Sequence, residues 1–187
     1  MNPNDVVTQA KTKFNNSVSH LEEELKKLRT GRANSGMLDG ITVEAYGTPM
    51  PLNQVANISA PEAQLLQVTP FDPSNLAAIS AAIRDNQSLG LNPSDDGHVI
   101  RVSIPPLTEE RRRDITKQVG GKLEDCMISL RATRHETLDT FNEAKKDKDI
   151  GEDEAKRLIS QVEDAMAQAK AKAEAIARAK EQEIMTV

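Results

Sequence analysis

Residues 14–33 read FNNSVSHLEEELKKLRTGRA, and they decide the fold. Phe14, Val18, Leu21, Leu25 and Leu28 step by 4, 3, 4 and 3. That spacing is an a/d seam, one apolar stripe on a helix built to pack against other helices. Upstream, Asn2, Pro3 and Asp5 form a start signal, because Pro tolerates the first turn and a carboxylate suits the N-terminal dipole. Downstream, Gly31 is the expected stop.

Two further helices follow the same logic. One starts near Thr108, a good N-cap, with Glu109 and Glu110 in its first turn. Ile115, Val119, Leu123, Cys126, Leu130, Leu138 and Phe141 mark its apolar side. Gly120 and Gly121 interrupt it, each weakening a helix by roughly 1 kcal/mol relative to Ala, so a bend or packing support is expected there. The other follows the turn at residues 146–151, with Ala155, Leu158, Val162, Met166, Ala169, Ala173, Ile176 and Ile184 as its stripe. Helices of about 25–37 residues run roughly 38–55 Å, and three of them make an elongated bundle.

Residues between the first and second helices have a different grammar. Ile41, Val43 and Ala45 alternate with Thr42, Glu44 and Tyr46, the period of a strand. Gly47-Thr48-Pro49 breaks that run. Residues 55–59 and 65–69 are candidate strands separated by Ala60-Pro61-Glu62. Asp72 and Pro73 open a short helix carrying Leu76, Ile79 and Ile83. Leu89-Gly90-Leu91-Asn92-Pro93 and Asp95-Asp96-Gly97 read as turns, and residues 99–104 as a closing strand. The expected fold class is α+β in two domains: a three-helix bundle from residues 1–30 and 106–187, and a small α/β domain inserted at residues 31–105.

Charge divides the chain at the same places. The whole chain of 187 residues carries −5. Residues 33–103 hold seven acids, Arg84, Arg101 and no lysine, so the entire excess lies there; the remainder has 22 charges of each sign. Bulk charge therefore argues against a wholly basic nucleic-acid binder, but the bundle itself is neutral.

The two connections read Leu28-Arg29-Thr30-Gly31-Arg32-Ala33 outward and Ile104-Pro105-Pro106-Leu107-Thr108 on return. Gly31 adds backbone freedom, and the two prolines stop helix or strand from running through. Thr30, Gly31, Arg32, Pro105 and Pro106 are thus expected to form a hinge, against the simpler reading of a helix stop and a helix start.

Catalytic and metal-binding patterns are not found in the sequence. There is no P-loop and no Rossmann fingerprint. His20, His98 and His135 have no partner at ligand spacing, and Asp95-Asp96-Gly97 lacks the Glu of a calcium loop. Cys126 is the single cysteine, which excludes an intramolecular disulfide and points to a buried thiol. No apolar run approaches the roughly 20 residues of a membrane span. The expectation is a non-enzymatic, cytoplasmic protein without cofactor or metal, monomeric and not attached to membranes, with a mature organellar protein as the alternative for its compartment.

The arginines carry more information. Arg131 and Arg134 are three apart, and His135 follows four after Arg131, so all three share one helix face. A guanidinium fixed on a rigid helix suits phosphate recognition through its planar fork. Arg29 and Arg32 flank the first connection. The run Arg111-Arg112-Arg113 lies where, in an antiparallel bundle, Glu181 and Glu183 could neutralise it. Aromatics are only 2% of the chain, so stacking platforms for single-stranded bases are missing. Any RNA contact would be to backbone and shape. A helical adaptor pairing with protein helices is the alternative.

Six blocks, in order, resemble the bacterial ribosome recycling factor family: Leu28-Arg29-Thr30-Gly31-Arg32-Ala33, Leu38-Asp39, Tyr46-Gly47-Thr48-Pro49, Leu89-Gly90-Leu91-Asn92-Pro93, Ile100-Arg101-Val102, and Pro105-Pro106-Leu107-Thr108-Glu109-Glu110-Arg111-Arg112. The resemblance runs over nearly the whole chain. It implies a long bundle with a smaller domain on a two-strand hinge, L-shaped like transfer RNA. It implies binding between the subunits of the ribosome after translation termination, the bundle lying along large-subunit RNA. Elongation factor G, which binds and uses GTP, would then drive subunit splitting and release of messenger and deacylated transfer RNA. It also implies RNA contact by Arg131 and Arg134, with Arg29 and Arg32 as basic positions beside the hinge. His135 stands where the family usually has Arg, residues 122–132 depart from its Ala- and Arg-rich pattern, and Gly151 stands where Ser is frequent. At pH 7 His135 would carry less charge than Arg.

Overall fold

The computed structural model describes residues 2–186. They form two compact units, residues 2–29 with Glu109–Thr186, and Thr30–Thr108.

In the first unit, α1 spans Pro3–Lys26, α4 spans Glu109–Lys146 and α5 spans Glu152–Met185. The Asn2 side chain accepts from the Asn4 N–H at 3.0 Å, with Pro3 in the first turn. α1 stops at Lys26, before Gly31, so Leu28 lies past the helix end and is only half-buried. Val6, Val7 and Ala10 extend the buried stripe toward the N-terminus.

α4 runs unbroken through Gly120 and Gly121. Both glycines face open space, where an added Cβ would meet nothing within 4 Å. Its buried stripe is Ile115, Val119, Cys126, Met127, Leu130, Thr133, Thr137 and Phe141. Leu123 and Leu138 are half-buried; beside Leu138 the core-facing line passes through the two threonines, and beside Leu123 through Val119, Cys126 and Met127. Thr137 tolerates burial because its Oγ1 donates to the Thr133 carbonyl at 2.8 Å. α5 contributes small residues: Ala155, Ala169, Ala173 and Ala177 are buried between Leu158, Val162 and Ile184, and Met166 and Ile176 sit at the edge. In the turn between α4 and α5, Lys148 takes a positive φ of 64°.

A polar seam joins α1 to α4. Lys13 reaches Glu136 at 2.8 Å, the Ser17 and Ser129 hydroxyls pair at 2.8 Å, and the Cys126 thiol donates to the Ser17 carbonyl at 3.6 Å. Burial pushes the Cys126 thiol pKa up, which keeps it protonated. Glu24, 19% exposed, accepts from Lys27 at 2.6 Å and Lys122 at 2.9 Å. These bonds, Lys27 first, hold its carboxyl at about 2.

A carboxyl depressed below its unfolded value adds stability above the unfolded pKa and loses it as pH falls through the folded one. For Glu24 that window runs from about 4.5 to about 2. Urea midpoints of the native chain and Glu24→Gln should therefore differ at pH 5 and converge toward pH 2. A gap independent of pH would contradict the assignment.

The second unit has two antiparallel sheets. β1 (Thr42–Ala45) pairs with β2 (Thr48–Pro51) through a turn at Tyr46 and Gly47, both at positive φ. Thr48 and Pro49, read with Gly47 as a break, thus begin a strand, because that turn folds them back onto β1. A one-turn helix α2 (Leu52–Val55) precedes β3 (Ala56–Glu62), so Val55 is helical. β3 carries Pro61 on an edge strand, with a register shift between Ser59 and Glu62. β4 (Leu65–Pro70), β5 (Pro93–Asp95) and β6 (Ile100–Ser103) complete the order β3-β4-β6-β5. β5 falls where only turns are read, since three polar and proline residues give no period. The Asp96 carboxylate closes the β5–β6 hairpin, accepting from the Val99 and His98 N–H groups at 3.0 Å and from Arg101 at 2.9 Å.

α3 (Leu76–Asp85) lies against β1 and β5. Asp72 accepts from the Ser74 N–H at the start of the 3₁₀ turn that leads into it. Val43, Leu66, Val68, Ile79, Ile83, Ile100 and Val102 are wholly buried and form this unit's own core.

Candidate functional site

The arginine face of α4 arises because Leu130, Thr133 and Thr137 point into the bundle. The positions between them then face outward or sideways. Arg131 is 58% exposed, and its Nη2 donates to Glu124 Oε1 at 2.5 Å, two turns back on the same helix. His135 is exposed, with Nε2 3.3 Å from Asp139 Oδ2.

Arg134 differs from both. It leans toward α5, where its Nε donates to both carboxylate oxygens of Glu163 at 2.8 and 2.9 Å and its Nη2 donates to Oε1. The Arg134 bond holds the Glu163 carboxyl below its usual range, and Glu163 raises the pKa of Arg134. Both groups are charged at any ordinary pH. Arg134 remains 39% exposed.

Arg29 and Arg32 are exposed, and Arg29 is itself engaged in a polar or charge interaction. They fall in different units, Arg29 with the bundle and Arg32 with the α/β unit. The structure gathers Arg131, Arg134 and His135 on one helix. Of the arginine run, Arg113 pairs with Glu109 at 2.5 Å, and Arg112 Nη1 donates to the Met185 carbonyl at 3.5 Å.

The connecting segments are pinned where they meet the sheet. The Ala33 N–H donates to the Ala63 carbonyl at 2.7 Å, and the Ile104 N–H to the Gln64 carbonyl at 2.8 Å. Both segments are thus tied to the tip of the β3–β4 hairpin. Gly31 has φ +78°, and a Cβ there would come 3.2 Å from Leu107 Cγ. Only glycine takes that backbone and that approach without strain. Thr30 is buried, and Pro105 and Pro106 are exposed.

The acidic partners are what sequence reading missed. Asp139 and Glu124 lie four and seven residues from their cations, a spacing that sequence displays. Glu163 is 29 residues from Arg134 on another helix, and no local pattern announces it.

Among the described residues, no group of three or more His, Cys, Asp or Glu could hold a metal ion, and no helix is long and apolar enough to cross a membrane. The fold and these surfaces define a class: a long three-helix bundle bearing oriented arginines, interrupted in sequence by an α/β unit with its own core. The chain belongs to the ribosome recycling factor family, whose family model matches residues 21–185. It is 42% identical over 183 residues to the ribosome-recycling factor of Mycobacteroides abscessus, covering 98% of each chain. It is 45% identical over 184 residues to that of Lacticaseibacillus casei, covering 98% of this chain and 99% of the relative. A solution structure of the ribosome recycling factor superposes with a TM-score of 0.77 at 33% identity, covering 100% of this chain and 99% of the other. A second neighbour, with a TM-score of 0.65 and 40% identity over 98% of this chain and 99% of its own, comes from models of the T. thermophilus ribosome recycling factor and E. coli elongation factor G bound to the E. coli post-termination complex.

Proposed function

We propose that this protein is a ribosome recycling factor of the bacterial cytoplasm. It binds the post-termination ribosome and, with elongation factor G and GTP, parts the subunits and releases messenger and deacylated transfer RNA. The observation that carries this is the family match over residues 21–185, with relatives matched over 98% of the chain, joined to a neighbour of 40% identity placed with elongation factor G on a post-termination complex. GTP hydrolysis belongs to the elongation factor; this chain supplies a shaped body and contacts.

In this reading α4 meets large-subunit ribosomal RNA through Arg134 and Arg131. Arg29 and Arg32 add charge near the first connection, and His135 adds a contact weaker than Arg would give. Supporting it are the rigidity of a 38-residue helix and the exposure of those side chains. Thr30, Gly31, Arg32, Pro105 and Pro106 act as the hinge, residues 1–30 with 106–187 serving as the RNA-docking body and 31–105 as the mobile one. The positive φ of Gly31 and the two prolines support that role, since the segments beyond them are tied into helix and sheet.

Mixing the protein with post-termination ribosomes, elongation factor G and GTP should yield free subunits by light scattering, and omitting any one component should abolish the signal. Splitting that proceeds equally well without this protein would refute the reading.

A further inference from the structure

We infer that Glu163 is the positioning residue that fixes Arg134 for RNA contact, an inference that rests on the proposed docking of α4 on ribosomal RNA. Glu163 grips the guanidinium side-on, through Nε and Nη2. Arg134 Nη1, with two N–H donors, has no hydrogen-bond partner among the described residues. The grip therefore leaves an end of the fork open for a phosphate oxygen.

Two rigid helices hold the pair, α4 carrying the arginine and α5 the glutamate. A long side chain held this way has already lost rotamer freedom that it would otherwise lose on binding. Arg131 supplies the contrast. Its glutamate takes only a terminal nitrogen and lies on the same helix, and the arginine is more exposed. An acid that merely masked Arg134 would be expected to occupy the outward end of the fork. Glu163 instead takes the side of the fork that includes Nε.

The sign of the effect separates positioning from masking. Positioning means that Glu163→Ala weakens binding to isolated large subunits, by roughly three- to ten-fold, the size expected when a preorganised arginine regains its freedom. Masking means that the same change tightens it. Glu163→Gln should restore most of the affinity, because its amide oxygen can take the place of Oε1, which accepts from both Nε and Nη2. Far-UV helicity should be retained in both variants, since Glu163 is 41% exposed and Ala and Gln are good helix formers.

The deciding measurement is equilibrium binding of the native chain, Arg134→Ala, Glu163→Ala, Glu163→Gln and the double variant Arg134→Ala/Glu163→Ala. Support is a loss with Glu163→Ala, recovery with Glu163→Gln, and no further loss when Glu163→Ala is added to Arg134→Ala. A structural effect on the bundle would instead persist without Arg134. Unchanged or tighter binding of Glu163→Ala, or an equal loss in the Arg134→Ala background, overturns the inference while leaving the recycling reading intact. Native binding by Arg134→Ala would remove Arg134 from the RNA interface and the inference with it. The splitting assay then judges the recycling function on its own.

Discussion

Arg134→Glu is expected to weaken binding to isolated large subunits by about ten- to a hundred-fold, the equivalent of losing one charge-assisted contact worth about 1.5–3 kcal/mol. Two effects add. The guanidinium donors vanish, and a carboxylate takes their place facing phosphates and the Glu163 carboxylate. Arg134→Gln separates them, since it removes the charge without reversing it and should fall between the native chain and the reversal. Helicity should be retained, because the position is outside the core and both replacements form helix well. Added salt should weaken the native complex, and each lost phosphate contact should flatten that dependence. Co-sedimentation with large subunits at two salt concentrations measures both. Equal sedimentation of native and reversed proteins would exclude Arg134 from the interface.

The face was legible in the sequence because helix periodicity is local. Positions 131, 134 and 135 share a side whatever else the chain does, and the buried line of Leu130, Thr133 and Thr137 agrees with that geometry. The bundle was legible for the same reason: the 4-3-4-3 stepping from Phe14 needs no knowledge of the partner helices. Elements that depend on distant pairing were not. β5 exists because residues 93–95 lie opposite residues 100–102, and nothing in Pro-Ser-Asp favours a strand alone. β2 needs the Tyr46-Gly47 turn to bring Pro49 opposite Glu44. The grip of Glu163 on Arg134 is of this second kind, since it depends on the register of α5 against α4. Net charge carries information here only region by region, since the acidic excess lies within residues 33–103. The −5 of the whole chain does not bear on the proposal that α4 meets RNA through a few oriented arginines.

The scarcity of aromatics sets up the largest stability effect. Phe14 and Phe141 are 1% exposed and sit in the bundle, whereas Tyr46 and Phe71 are 70% and 68% exposed on the α/β unit. α5 brings mainly alanines to the bundle interior, so α1 and α4 must supply the volume. Removing a large ring there leaves few long side chains able to collapse into the gap. Phe141→Ala should therefore cost about 3–5 kcal/mol through lost burial and residual cavity, a large share of the roughly 5–15 kcal/mol that keeps a domain folded. The denaturant midpoint should drop with little change in slope, as a loss of stability without a change of mechanism requires. Phe71→Ala is the matched control. It removes the same atoms from an exposed site, and its backbone N–H still donates to the Val55 carbonyl, so it should change stability by no more than about 0.5 kcal/mol. A Phe141→Ala cost as small as that of Phe71→Ala would mean that the alanine-lined interior can close over the missing ring.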